Sequence, residues 1–81
     1  MQNITIYTTP TCGFCHKLKE WMNFHQISYK EKNVKENYHY RKELLDFGVK
    51  GVPLTVIKTE DGPFHISGFN PEKLKQHFHI N

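Results

Sequence analysis

The chain has 81 residues, of which 37% are hydrophobic, and its formal net charge is +3 at neutral pH. A chain of this size buries only slightly more than the ~60% of its surface that is typical of a sixty-residue domain, so residues 1–81 are expected to form a single domain. The longest mainly apolar run, 52–57, is far shorter than the ~20 residues of a membrane-spanning helix, so a membrane protein is not expected. The Lys and Arg side chains are scattered along the chain, so a nucleic-acid-binding protein is not expected either.

The first predicted elements are a strand and a helix. Residues 4–8 form an alternating run of β-favouring side chains, and this strand ends before Pro10. The helix follows at once, because apolar residues recur at the i, i+4, i+7/8 spacing that places them on one helix face. The residues predicted for this inward face are Phe14, Leu18, Trp21 or Met22, and His25.

A second strand and a second helix are predicted next. Residues 27–34 indicate a short strand, in which Ile27 and Tyr29 alternate with polar residues. Residues 36–47 indicate a helix that ends before Gly48, since glycine is the usual residue just past a helix terminus. The inward side of this helix is predicted to carry Tyr40, Leu44 and Phe47.

A hairpin is predicted in the last third of the chain. Residues 54–57 and 64–67 are β-favouring runs, and the segment 60–63 between them has the composition of a turn. Two such runs joined by a turn predict an antiparallel hairpin.

The last predicted element is a helix that begins at Asn70 and Pro71. Asn suits the capping position and Pro the first helical position, while Leu74 and Phe78 supply an inward face. The element order is then β-α-β-α-β-β-α. Such an order predicts an α/β fold, in which right-handed crossovers place helices on both faces of a four-stranded mixed sheet.

Cys12 and Cys15 are the only two cysteines of the chain, and they stand at the head of the first predicted helix. Positions i and i+3 of a helix have Cβ atoms roughly 5–6 Å apart, and a disulfide accepts Cα separations of about 4.4–6.8 Å, so a bond between the two sulfurs can open and close. The unpaired N–H groups of the helix N-terminus favour a thiolate on Cys12. Cys15, one turn further in, is expected to be more buried and to stay protonated longer. The pattern therefore predicts a redox enzyme with Cys12 as nucleophile and Cys15 as resolving thiol.

The cysteines also allow three other interpretations. A static disulfide belongs to oxidising compartments, whereas residues 1–5 lack the features of a signal peptide, so the cytoplasm is the expected location. Residues 12–16 match the attachment pattern of c-type haem, but that attachment ordinarily follows export. A metal site is not predicted either, because no zinc-finger spacing is present among the six histidines, which are His16, His25, His39, His65, His77 and His79.

Three blocks of the sequence, 4–15, 51–53 and 67–69, carry a resemblance to a known family. The first contains the cysteine pair, the second is Gly51-Val52-Pro53 and the third is Ser67-Gly68-Phe69. With all three in this order and at these spacings, the chain resembles glutaredoxins of the thioredoxin superfamily over nearly its whole length. The resemblance implies a thioredoxin-like fold with a cis peptide bond before Pro53.

The resemblance also implies which residues bind the substrate. The backbone of Val52 is expected to pair with the substrate chain, and the turn at Ser67 and Gly68 to bind a substrate carboxylate at the head of the last helix. Phe14 would offer an apolar wall beside the nucleophilic sulfur. The substrate-binding residues implied in this way are Thr11, Phe14, Val52, Pro53, Ser67, Gly68 and Phe69.

The activity implied is that of a monomeric dithiol–disulfide oxidoreductase that reduces protein disulfides or glutathione mixed disulfides. No bound cofactor is implied, because the electrons come from glutathione or from an NADPH-dependent thioredoxin reductase. Gly13 and Phe14 stand where glutathione-using members typically carry Pro-Tyr, and no basic residue occurs in 9–11. The turn 67–71 looks more like that of redoxins that donate electrons to ribonucleotide reductase and are recharged by thioredoxin reductase. The alternative is a binding module that holds an iron–sulfur cluster between two subunits.

Overall fold

The structure, a computed structural model, describes residues 3–49 and 51–78. The strands within these ranges are β1 (Asn3–Thr8), β2 (Lys30–Asn33), β3 (Leu54–Thr59) and β4 (Gly62–Ser67). The helices are α1 (Gly13–Phe24), α2 (Tyr38–Asp46) and α3 (Pro71–Phe78). The predicted order of elements is confirmed. No helix of the described residues has the length and apolar character needed to span a membrane.

The strands form one mixed sheet in the order β2-β1-β3-β4. β1 runs parallel to β2, with Tyr7 opposite Lys32, and this pairing depends on the crossover through α1. β3 is antiparallel to both β1 and β4, and a two-residue turn at 60–61 joins β3 to β4. The predicted four-stranded mixed sheet and its terminal hairpin are therefore confirmed.

Buried apolar side chains form one cluster on each face of the sheet, because successive strand residues point to opposite faces. On one face, α1 and α3 pack against the sheet, and the buried residues there are Ile4, Ile6, Leu18, Met22, Ile57, Ile66 and Leu74. On the other face α2 packs against the sheet, and the buried residues there are Tyr7, Val34, Leu44, Leu54 and Val56. Helices thus cover both faces, as predicted.

Phe14 does not lie on the buried face of α1, where the sequence pattern placed it. The buried residues of this helix are Cys15, Leu18 and Met22. At 3.6 residues per turn, the position before Cys15 turns away from that face, and Phe14 is 61% exposed. His25, which was assigned to the same face, instead caps the end of the helix and lies against Trp21, with ring centroids 4.3 Å apart. The helical period was predicted correctly, but the assignment of Phe14 to the buried face was wrong.

β2 and α2 are both shorter than predicted. β2 pairs with β1 over Lys30–Asn33, while Ile27 and Tyr29 pack against the core from the preceding loop. α2 begins after Asn37, whose side-chain oxygen accepts the N–H of the residue two positions on at 2.8 Å. Gly48 follows the helix with φ at 80°, a left-handed conformation that favours glycine, so the predicted end of this helix is confirmed.

The carboxylate of Glu43 ties α2 to the sheet. The Tyr7 hydroxyl and the Lys32 ammonium both donate to Glu43 Oε1, each at 2.7 Å. The Lys32 ammonium also lies over the rings of Tyr7 and Tyr40, at 5.6 and 5.2 Å from their centroids. The bond from Lys32 and, next, the bond from Tyr7 lower the pKa of Glu43.

Replacing this carboxylate is expected to weaken the fold in a pH-dependent way. Glu43→Gln should lower the free energy of unfolding by about 0.5–1 kcal/mol at pH 7. The effect is small because the Glu43 side chain is 40% exposed and solvent screens its charge. The pKa of Glu43 is depressed in the folded state, so its stabilisation is present above the unfolded pKa of about 4.3 and is lost as the pH falls through the folded pKa.

Urea unfolding at pH 7 and pH 3 measures this effect. The difference between the wild-type protein and Glu43→Gln should shrink at pH 3, whereas the control Glu20→Gln, on the exposed side of α1, should differ little from wild type at either pH. A Glu43→Gln difference that is equally large at pH 3 would show that the side chain acts through packing and not through its charge.

Candidate active site

The cysteine pair lies at the edge of the sheet where β1 ends and β3 begins. Tyr7 of β1 pairs with Leu54 of β3, so the loop that leads to Cys12 meets the residues just before β3. The Cys12 thiol donates to the carbonyl oxygen of Val52, with a distance of 3.8 Å between sulfur and oxygen. The peptide bond between Val52 and Pro53 is cis, as the resemblance implied.

Cys12 caps the N-terminus of α1. Its backbone is extended, with φ at −93° and ψ at 111°, and its sulfur accepts the N–H of Cys15 at 3.1 Å. The first N–H groups of a helix have no intrahelical partner, so they stabilise a negative charge on this sulfur. Cys12 is partly exposed. It therefore has both the hydrogen bonding and the access to solvent that a nucleophilic thiolate needs.

Cys15 lies one turn further into α1 and is 1% exposed. Burial raises the pKa of this thiol to about 12, and the adjacent Cys12 sulfur adds to the increase through a hydrogen bond and through its charge. The Thr9 backbone and the positive charge of Lys19 act in the opposite direction and lower the pKa of Cys15. The expectation that Cys15 is the more buried thiol is confirmed.

Three residues that the sequence analysis did not select form a polar network around this site. The Lys19 ammonium and the Thr8 hydroxyl both contact Glu31 Oε2, at 3.1 Å and 2.6 Å. The Thr8 hydroxyl has the largest effect in lowering the pKa of Glu31. The Glu31 carboxylate thereby fixes Lys19, whose charge acts on Cys15. The i, i+4 spacing of Cys15 and Lys19 is a signal that could have identified Lys19.

The predicted substrate-binding backbone positions come together beside the cysteines. The Gly68 N–H donates to the Pro53 carbonyl at 2.8 Å, so the turn at 67–69 is held against the segment 52–53. Gly68 has φ at 76°, the left-handed conformation in which glycine avoids the strain of a Cβ atom. Val52 and Ser67 therefore lie on neighbouring segments of one surface.

The predicted substrate-binding side chains differ in their exposure to solvent. Thr11 and Phe14 are exposed on either side of Cys12, and the Lys17 ammonium lies 5.5 Å from the centroid of the Phe14 ring. Phe69, by contrast, is partly buried and packs against the hydrophobic cluster beneath α1 and α3. Phe14 is thus open to a substrate, whereas much of Phe69 is used by the core.

Metal-ligating side chains do not cluster in the part of the chain that the structure describes. Among residues 3–49 and 51–78, no group of three or more His, Cys, Asp or Glu side chains could hold a metal ion. His79, one of the six histidines considered above, lies outside the described residues.

Comparisons with known proteins agree with this fold and identify the family. The family model for glutaredoxin matches residues 4–61. The glutaredoxin-like protein NrdH of Lactococcus lactis subsp. cremoris is 31% identical over 71 residues, which cover 88% of this chain and 93% of that protein.

Two solved structures extend the likeness to three dimensions. A crystal structure of the thioredoxin-like protein BC3987, mutant T8A, has a TM-score of 0.86 and 33% identity and covers 100% of both chains. The second structure is that of the glutaredoxin-like protein NrdH-redoxin from Escherichia coli, a protein with a thioredoxin-like activity profile. It has a TM-score of 0.76 and 28% identity, and the alignment covers 91% of this chain and 92% of that chain. The chain therefore belongs to the glutaredoxin family, as a glutaredoxin-like redoxin with a thioredoxin fold and the chemistry of a thiol–disulfide oxidoreductase.

Proposed function

We propose that this protein reduces disulfides of other proteins through a reversible bond between Cys12 and Cys15. The observation that carries the proposal is the contrast between the two thiols. Cys12 is partly exposed and accepts an N–H at the head of α1, whereas Cys15 is buried one turn behind it. A thiolate that substrates can reach, backed by a second thiol within bonding range, is what a two-step exchange requires.

In the first step, the Cys12 thiolate attacks one sulfur of the substrate disulfide. A mixed disulfide forms and the other substrate sulfur leaves as a thiolate, which takes up a proton from solvent. The Val52 carbonyl accepts from Cys12 only while Cys12 is a thiol, and within the described residues the Val52 N–H donates to no partner. Val52 can therefore hold an extended substrate chain by a backbone hydrogen bond beside the reacting sulfur.

In the second step, the Cys15 thiolate attacks the Cys12 sulfur of the mixed disulfide. The bond between Cys12 and the substrate breaks as the bond between Cys12 and Cys15 forms. The substrate sulfur leaves as a thiolate and takes up one proton, which balances the proton that Cys15 has lost. Two of the causes that raise the pKa of Cys15 are the hydrogen bond and the charge of Cys12. Burial, the largest cause of the raised pKa, persists in the mixed disulfide, whereas the effect of the Cys12 charge is lost once Cys12 is covalently bound, so the pKa of Cys15 falls from its value in the dithiol.

We propose thioredoxin reductase, not glutathione, as the electron source. The residues that precede Cys12 carry no charge, and Gly13-Phe14 offers no hydroxyl to glutathione between the cysteines. The likeness to NrdH-redoxin, with its thioredoxin-like activity profile, supports the same choice. Ribonucleotide reductase is the protein substrate that the resemblance favours, and the cytoplasm, where catalytic dithiols are kept reduced, is the proposed location.

A recycling assay tests this proposal. Oxidised protein is supplied with NADPH and either thioredoxin reductase or glutathione plus glutathione reductase, and NADPH consumption is followed at 340 nm in the presence of a disulfide substrate. Consumption is expected with thioredoxin reductase and should be at least about tenfold slower with the glutathione system, because glutathione meets neither a cation just before Cys12 nor a hydroxyl between the two cysteines. Faster turnover with glutathione would reverse the assignment of the electron source.

A further inference from the structure

A small cavity opens beside the cysteine pair. Its volume is about 150 Å³, and its lining includes Thr9, Gly51 and Val52. The Thr9 carbonyl accepts the Cys12 N–H at 3.4 Å, and the Val52 carbonyl accepts the Cys12 thiol. Because Thr9 and Val52 both line the cavity and contact Cys12, and an extended chain advances about 3.3 Å per residue, a side chain in the cavity would belong to a residue one or two positions from the one that reacts.

The remaining walls of the cavity combine a buried apolar floor with a charged rim. Val34 and Leu44 are buried at its base, and Leu45 is exposed at its mouth. Lys35 and Arg41 complete the lining, and both are exposed. The volume is below the roughly 300 Å³ at which small-molecule sites begin, so the cavity suits a single side chain better than a cofactor.

The two cations at the rim have no ionic partner within residues 3–49 and 51–78. The ion pairs found there join Lys19 to Glu31 and Lys32 to Glu43, which leaves Lys35 and Arg41 without a carboxylate. Two uncompensated positive charges beside an apolar floor attract a negatively charged group that also carries hydrocarbon.

We infer that this cavity recognises a glutamate one or two residues from the reacting cysteine of a protein substrate. The two methylene groups of glutamate would cover the floor at Val34 and Leu44, while its carboxylate would meet Lys35 and Arg41. The inference rests on the proposed reductase function, and it adds a substrate class to it. The cavity selects and positions the substrate, and the exchange of electrons is the one already described.

Two cyclic disulfide peptides test the inference. They differ only in carrying Glu or Gln beside each cysteine, and their reduction by the prereduced protein is measured from quenched samples by chromatography. The wild-type protein is expected to reduce the Glu peptide about tenfold faster at low salt, since an exposed ion pair contributes up to about a fivefold effect and the cavity offers two. Arg41→Gln and Lys35→Gln should each cut this preference about threefold, and the double variant should abolish it.

The matched control is Lys42→Gln. Lys42 is adjacent to Arg41 on α2 and lies 5.7 Å from the centroid of the Tyr38 ring, away from the cavity lining. This variant changes the net charge by the same amount and should keep the tenfold preference. The wild-type preference should also weaken as salt rises from about 0.01 to 0.5 M, because ions screen the rim charges.

Four results would decide against the inference. Equal rates for the two peptides with wild-type protein would exclude a glutamate site while leaving the reductase function intact. A loss of preference in Lys42→Gln equal to that in Arg41→Gln would assign the effect to net charge. A matching loss of glutathione disulfide reduction in Arg41→Gln would assign the cavity to glutathione's carboxylate. Failure to reduce either peptide would refute the proposed function itself.

Discussion

Cys12→Ser is expected to lower disulfide reductase activity by at least about 10³-fold, because a serine hydroxyl is not ionised at neutral pH and cannot replace the attacking thiolate. The substitution should leave the fold intact. The Cys12 side chain caps α1 by accepting the Cys15 N–H, and serine is among the residues preferred at that position. Activity is measured as the turbidity or thiol release that accompanies reduction of a protein disulfide, and folding is checked by circular dichroism.

The matched variant is Cys15→Ala, which should keep the first step and lose the second. Cys15 is buried among apolar residues, where free cysteine behaves as a small hydrophobic side chain, so alanine is tolerated better than serine, which would bury a hydroxyl. This variant should accumulate a covalent adduct between Cys12 and the substrate, visible as a mass increase that dithiothreitol removes. Should the adduct form on Cys12→Ser instead, the assigned roles of the two cysteines would have to be exchanged.

The order of elements could be predicted because the signals for it act over a few residues. Alternation in β1, the Gly48 terminus of α2 and the Asn70-Pro71 start of α3 each reflect the conformation of a short segment, and the structure bears all three out. The predicted positions of the two cysteines at the head of α1 rest on the same kind of local pattern. The wrong assignment of Phe14 shows the limit of such patterns. The helical period alone does not determine which residue begins the buried face, and in α1 that residue is Cys15.

The rest of the site depends on contacts between residues that are distant in sequence. Thr8 and Glu31 are 23 positions apart and meet because β1 and β2 run parallel. The cavity beside Cys12 draws its lining from the segments after β1, after β2 and before β3 and from α2, and its charged rim needs Lys35 and Arg41 together. Local composition does not indicate such long-range contacts, so they can be recognised only once the order of the strands in the sheet is known.

The burial of Cys15 leads to the second large expected effect, a loss of stability at alkaline pH. In the folded protein burial raises the pKa of Cys15 to about 12, from an ordinary value of 9.0. Stabilisation from a raised pKa is fully present below the unfolded value and is lost as the pH rises toward the folded value, because the unfolded thiol ionises first. Between pH 8 and pH 10 the free energy of unfolding should fall by about 1.4 kcal/mol through this group, since one pKa unit corresponds to about 1.36 kcal/mol.

Other groups also titrate in this range, so the measurement is a comparison with Cys15→Ala, which lacks this group and retains the others. Urea unfolding of the reduced proteins at pH 8 and pH 10 should show the wild-type curve moving toward the variant by that amount. Alkylation gives an independent measurement: at pH 8, iodoacetamide should modify Cys12 of the folded protein and leave Cys15 unmodified until urea is added. Parallel pH dependence of the two proteins, or equal labelling of both thiols before unfolding, would mean that Cys15 is neither buried nor held protonated, and the two-step exchange would lose its physical basis.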